Sequence, residues 1–321
     1  MVLARSPLAK VISNKKGAPK MKEKHIRKPW EKFGFTDVVI YVLLATITFV
    51  TLFPFWNSII LSFNDGKDAQ VGGIYFWPRK FTLANYEQVF ENTEIWMAFF
   101  ISTMRTIIGT TSSLFVTSLF AYAASKPYLK FRKFYMILLL ISMYFSGGMI
   151  PTFLVIKDLN LLNSFWVYVI PWMFNAFYAQ IFISFFRGIP GSLIESAKMD
   201  GATEWTIYFK MILPLSKPVL AAVALFTAVN HWNAWNDNLL YVKKDHLNTL
   251  SFLFVKMIKA QEYLENAAAS TGIAELGRLS QVSSTSLQLA TMMVAIIPII
   301  CIYPFVQKHF TSGIMIGSIK G

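Results

Sequence analysis

Apolar residues gather along this chain into long runs separated by polar stretches. Six runs are long enough to cross about 30 Å of hydrocarbon. They lie at 37–63, 95–124, 134–156, 164–187, 217–240 and 286–307. The pattern predicts an all-α polytopic membrane protein: a basic N-terminal tail at 1–36, a six-helix transmembrane domain at 37–307 and a C-terminal tail at 308–321. The fifth run departs from the others, because its second half, VNHWNAWNDNLLYV, is polar and aromatic. Between the fourth and fifth runs lies a loop, 188–216, with helical signals of its own.

Those signals are local and explicit. Pro190-Gly191 breaks the preceding run, and Ser192 with Glu195 makes an S-x-x-E capping-box pattern. A helix from Leu193 to Asp200 follows, with Gly201 as a left-handed C-cap. Ala197 and Gly201, four apart, give that helix an edge of small residues. Thr203 caps a second helix through Trp205 and Tyr208, which Pro214 and Pro218 kink or end. Two short helices joined at a glycine corner read either as a rigid lever or as an interfacial cap on the bundle.

Charge orients the runs. Residues 1–36 hold ten Lys and Arg, 125–133 four, 187–217 four and 308–321 two; 64–94, 157–163 and 241–285 hold three, one and five. Twenty against nine places the N-terminus, the second and fourth connections and the C-terminus in the cytoplasm. The formal charge of +13 is thereby topological, with anionic lipid as a secondary attraction. No basic, aromatic-bearing soluble module is present, which argues against nucleic acid. Composition agrees with a membrane protein, at 55% hydrophobic and 15% charged. The single cysteine, Cys301, excludes an intrachain disulfide. The basic start lacks a signal-peptide pattern, so the first run reads as a retained span. The external stretches 64–94 and 241–285, the latter with an amphipathic helical portion around Leu250–Asn266, are docking surfaces for a partner or solvated loops.

Polar groups inside spans are costly and face a cavity or another helix. The densest cluster is Asn230, His231, Trp232, Asn233, Trp235, Asn236 and Asp237. Amides bond sugar hydroxyls and indole rings stack on pyranose faces. Tyr144, Trp172, Asn175 and Tyr178 are candidates for the same lining. The alternative is an aromatic belt with helix–helix hydrogen bonds. Arg105, in the second run, pairs with Asp237, meets an anionic sugar or snorkels to the headgroups. No G-x-x-x-x-G-K-[ST] loop occurs, and His25, His231, His246 and His309 lack metal-ligand spacing. Catalytic, cofactor-binding and metal residues are therefore not expected in this chain.

The order Glu195, Ala197, Gly201, Met211, Leu213, Pro214 resembles the EAA loop of permease subunits of bacterial ABC importers. Ser196 departs from the second residue of the triplet and Met211 from the usual branched aliphatic. ESAKMDGATEW…ILPLSKPVL, Phe145 to Pro171 and Tyr303 to Gly321 are similar to the carbohydrate branch, relatives of the inner maltose permease subunit. Nearest are the permeases for oligosaccharides and polysaccharide fragments.

The resemblance implies a type I ABC importer permease fold with a cytoplasmic coupling helix between helices 4 and 5. It implies ATPase-coupling roles for Glu195, Ser196, Ala197, Asp200, Gly201, Met211 and Pro214, and for Ser318, Lys320 and Gly321 in the tail. Glu195 either caps its helix or grips the ATPase. ATP and Mg would be bound by two cytoplasmic ABC ATPase subunits. A second homologous permease, an extracellular solute-binding protein and an oligosaccharide complete the expected partners, in a bacterial cell (inner) membrane. Competing readings are an ABC permease for a non-sugar solute and a secondary transporter. The latter would show coupling carboxylates or broken helices at mid-membrane, and an internal repeat.

Overall fold

The computed structural model describes residues 34–69, 71–271, 285–301 and 304. Its helices are α1 (Phe35–Ser62), α2 (Gly66–Ala69), α3 (Ala84–Glu91), α4 (Thr93–Ser125), α5 (Arg132–Tyr144), α6 (Met149–Asp158) and α7 (Ala176–Arg187). There follow α8 (Gly191–Met199), α9 (Glu204–Ile207), α10 (Leu213–Leu215), α11 (Lys217–Asn233), α12 (Asn236–Tyr241), α13 (Leu250–Thr271) and α14 (Thr285–Cys301). Among the described residues extended pairing is limited to one isolated bridge, Asn64 with Phe81.

By internal contacts the chain divides at Phe53–Pro54, inside α1, into Met1–Phe53 and Pro54–Gly321. In the first unit, the described part of α1 exposes its apolar side chains almost throughout, from Val38 to Leu52. A helix apolar on every face is one that lipid or another membrane subunit covers.

In the second unit α4 is the hub, packing along α11 and α7. Its 33 residues follow Asn92, whose side chain accepts from the Glu94 amide, as an N-cap should. Small and polar residues recur on its buried side: Ser102, Arg105, Gly109, Ser113 and Thr117. Steps of three and four keep them on adjoining turns of one helix. Gly109 sits where α11 crosses, and a Cβ there would lie 2.6 Å from the His231 ring. Only glycine permits this approach.

The runs at 134–156, 164–187 and 217–240, expected as continuous spans, are each interrupted. α5 and α6 meet at 115°, across Phe145–Gly148. In the fourth run, turns of 3-10 helix from Phe165 to Trp172 meet α7 at 46°. Asn175 restarts the helix there by accepting from the Tyr178 amide at 3.0 Å. α11 stops at Asn233, and Ala234 is extended before α12. Ahead of it, Glu204–Leu215 meets α11 at 80°, where Pro218 cannot donate the bond that would continue the helix. Among the described residues α4 and α1 are long and apolar enough to cross a membrane; counting each bent pair as one span gives five, with α14 shorter. The sixth expected run, 286–307, is described only to Cys301 and at Pro304.

The loop helix also differs from its expected start. α8 begins at Gly191 with Pro190 at the N-cap and no side-chain cap, so Ser192 and Glu195 form no capping box. Ser192 lies inside the first turn, two positions past the N-cap. The other end follows expectation: Gly201 has φ +79°. The Ala202 amide reaches the Ala197 carbonyl at 2.9 Å and the Gly201 amide the Lys198 carbonyl at 3.0 Å, the paired bonds of a Schellman motif. Thr203 then caps α9 by accepting from the Thr206 amide. A π-helical segment, Tyr208–Ile212, continues the turn.

Candidate functional site

Beside the middle of α4 lies a cavity of about 500 Å³. α4 contributes Arg105 and Ser113 to it; the 3-10 turns and the start of α7 contribute Trp172, Phe174, Asn175 and Tyr178. Asn230, His231, Asn233, Asn236 and Asp237 close the wall from α11 and α12. The break at Ala234 is what makes this wall polar. It releases the Ala234 carbonyl from the helical ladder, and Arg105 Nη1 donates to it at 2.9 Å.

Arg105 pairs with Asp237, one of the three fates open from sequence. Nη1 donates to Oδ1 at 3.1 Å and Nη2 to Oδ2, in the two-pronged geometry that suits a guanidinium and a carboxylate. Both side chains are almost fully buried, and the guanidinium carbon lies 4.8 Å from the Tyr168 ring centre. The Arg105 charge is thus met within the protein. What the cavity offers besides is neutral: amides and aromatic rings, with Asn230 donating to the Tyr178 hydroxyl at 3.1 Å.

Six of the nine path residues expected from sequence line this cavity: Asn230, Asn233, Asn236, Asp237, Trp172 and Asn175. Three do not. Trp232 faces the other side of α11, packed edge-on against Phe99 with its indole donating to the Ala295 carbonyl at 3.1 Å. Trp235 lies outside the lining, and Tyr144 is 87% exposed at the end of α5. Ser113 and Phe174 were not anticipated, although the polar recurrence along α4 pointed to Ser113.

On the 188–216 loop, Ala197 and Met211 pack with Ile194 and Leu213 against a core that includes Phe182, Ile207, Tyr208 and Ile212. Glu195, Ser196, Asp200, Gly201 and Pro214 are exposed. Exposed with them are Met199, at 88%, and the stacked rings of Trp205 and Phe209. The loop therefore buries one face and presents another that mixes a carboxylate with large apolar groups. Ser318, Lys320 and Gly321 lie outside the described residues.

A transmembrane chain with a polar cavity and a folded loop at one end fits several kinds of transporter. Broken helices, expected only of a secondary transporter, do not separate them here. Sequence comparison does: residues 31–235 match the family of binding-protein-dependent transport system inner membrane components. The chain belongs to that family.

The permease is 37% identical over 285 residues to the polygalacturonan/rhamnogalacturonan transport system permease protein YtcP of Bacillus subtilis (strain 168), covering 89% of this chain and 98% of that one. It is 30% identical to the arabinooligosaccharides transport system permease protein AraQ of Halalkalibacterium halodurans, over 86% and 94% of the two chains. Among solved structures it resembles a chain of a bacterial ABC transporter involved in the import of the acidic polysaccharide alginate. There the TM-score is 0.77 and the identity 28%, over 87% of this chain and 99% of the other. The helical architecture is thus that of an ABC importer permease.

Proposed function

We propose that this permease is one of two homologous membrane subunits that import an oligosaccharide, delivered by an extracellular solute-binding protein and driven by two cytoplasmic ATPases. ATP and Mg bind on those partners; this chain supplies the path and the joint. The observation that carries the reading is the pairing, within one chain, of a neutral amide- and aromatic-lined cavity with a folded loop exposing Glu195, Met199 and Trp205. Amides around a cavity suit sugar hydroxyls, and Trp172 offers a stacking face. The relatives named for polygalacturonan/rhamnogalacturonan and arabinooligosaccharide transport, and the alginate importer, point to the same cargo class.

The excess of Lys and Arg on alternate connections puts the loop and both termini in the cytoplasm. There α8 serves as the coupling helix, with Glu195, Ser196, Ala197, Asp200, Gly201, Met211 and Pro214 as contact or packing residues. The C-terminal Ser318, Lys320 and Gly321 form a second contact. Glu195, free of a capping role in α8, is available to an ATPase cation. Closure of the ATPases on ATP pushes the loop and favours the outward-open state; hydrolysis resets it.

The test is uptake and ATPase stimulation in the reconstituted complex with its binding protein, across neutral and acidic oligosaccharides. ATP-dependent uptake of one class is expected. Uptake that proceeds without ATP would overturn the reading.

A further inference from the structure

The loop is tied to the end of α4 by four side chains gathered on one carboxylate. Glu204, the first residue of α9, accepts from the Tyr122 hydroxyl near the end of α4 at 2.5 Å. It accepts from the Tyr128 hydroxyl, in the α4–α5 connection, at 2.9 Å. Lys198 Nζ, in the last turn of α8, lies 2.6 Å from Glu204 Oε1 and also donates to Tyr128 at 3.2 Å. Lys126 Nζ stands 3.7 Å from Oε2, over the Tyr122 ring at 4.1 Å from its centre.

Two features separate this cluster from an ordinary surface ion pair, which contributes little. Lys126 is buried, and among the described residues its amine has no hydrogen-bond partner. Glu204 is the carboxylate that balances it. The cluster also joins pieces of chain that otherwise meet through weaker links. α8 reaches the core by Ile194 and Ala197, apolar contacts that hold no fixed direction. Its covalent link to α9 passes through the Gly201 corner. Directional contact from α8 to the end of α4 runs through Lys198, Glu204 and Tyr128.

We propose that Glu204 is a positioning residue for transport: it fastens α8 to the end of α4, so that a push on α8 moves α4 as a rigid body. This rests on the assignment of α8 as the ATPase-facing helix. Tyr208 adds a second tie to the same helix, its hydroxyl 2.8 Å from Ser118 Oγ. From Tyr122 back to Arg105 at the cavity is about 25 Å along α4, at 1.5 Å per residue. One helix thus carries the clasp at one end and cavity residues at its middle.

The test measures sugar taken up per ATP hydrolysed, in the reconstituted complex with ATPases and binding protein. Glu204→Ala is expected to lower that ratio about tenfold, an ordinary size for coupling between two sites. Lys198→Ala, a more exposed change that leaves Lys126 balanced, shifts it in the same direction and carries the test if Glu204→Ala fails to assemble. Lys198→Arg, which keeps cation and reach, restores the ratio. An unchanged ratio in assembled complexes overturns the clasp, and so does a loss that Lys198→Arg fails to restore. Glu195→Lys and Met199→Asp run alongside. If they uncouple the complex while Lys198→Ala and Glu204→Ala do not, the clasp alone falls. If none uncouples, the assignment of α8 falls with it.

Discussion

Arg105 and Asp237, 132 positions apart, form a two-pronged ion pair buried at the wall of the cavity. Removing one partner of such a pair strands a buried charge, at a cost of about 3–5 kcal/mol, whereas apolar replacement of both is far milder. Asp237→Ala should therefore lower the thermal midpoint of the purified complex sharply, and Arg105→Leu with Asp237→Leu should recover much of it. If the double variant is no more stable than Asp237→Ala, Asp237 does more than neutralise Arg105.

The α4–α11 crossing depends on the absent side chain of Gly109. A Cβ placed 2.6 Å from the His231 ring forces one helix or the imidazole aside, with overpacking of this kind costing about 1–3 kcal/mol. Gly109→Ala is expected to destabilise the assembled complex, and a second change, His231→Ser, to relieve it. Independence of the two substitutions in thermal unfolding would show that the helices separate readily at this point.

Gly201 is constrained by backbone rather than space. Its φ of +79° disfavours side chains, yet a Cβ there meets nothing within 4 Å. The penalty for an ordinary L residue is about 1–2 kcal/mol, and asparagine tolerates the region better. Uptake should fall in the order Gly201, Gly201→Asn, Gly201→Val. A Val variant as active as Asn would mean that the corner opens during transport.

Within the cavity, Asn230→Leu removes an amide that faces the interior and bonds Tyr178. It should raise the cargo concentration for half-maximal uptake about tenfold, a loss of about 1.4 kcal/mol. Trp232→Phe, on the opposite side of α11, should lower thermal stability with little change in that concentration. The reverse outcome would place the path on the Trp232 side.

Partial burial pushes the Glu204 carboxyl up, but hydrogen bonds from Lys198, Tyr122 and Tyr128 and the charge of Lys126 outweigh it, holding it at about 2 against an ordinary 4.5. A depressed carboxylate binds fewer protons folded than unfolded, so its contribution is full above 4.5 and is lost as pH falls toward 2. The stability difference between wild type and Glu204→Gln should stay level from about pH 5 upward and shrink below it. A pH series of thermal unfolding checks this; a change near neutrality would point to another titrating group.

The loop was the most legible part of the chain. Gly201, Thr203 and the prolines act through backbone rules that reach only a few residues, so their effects follow from local order. The capping box failed because α8 starts at Gly191 with Pro190 at the N-cap, two positions ahead of Ser192, a shift of register that a local pattern does not specify. The amide cluster from Asn230 to Asp237 was visible as composition, but its division was not. A period of 3.6 residues turns Asn230 and Asn233 to one side of α11 and Trp232 to the other.

By itself, then, the order of residues determined the helical membrane character, the glycine corner and the polar segment near the end of the fifth run, because hydropathy, turn chemistry and composition are local quantities. Only the tertiary structure decided that Arg105 meets Asp237, that Glu204 gathers Tyr122, Tyr128 and Lys198, and which aromatic rings face the cavity. Those pairings join residues some 6 to 132 positions apart, and they depend on how broken helices pack around α4 rather than on any pattern within one of them.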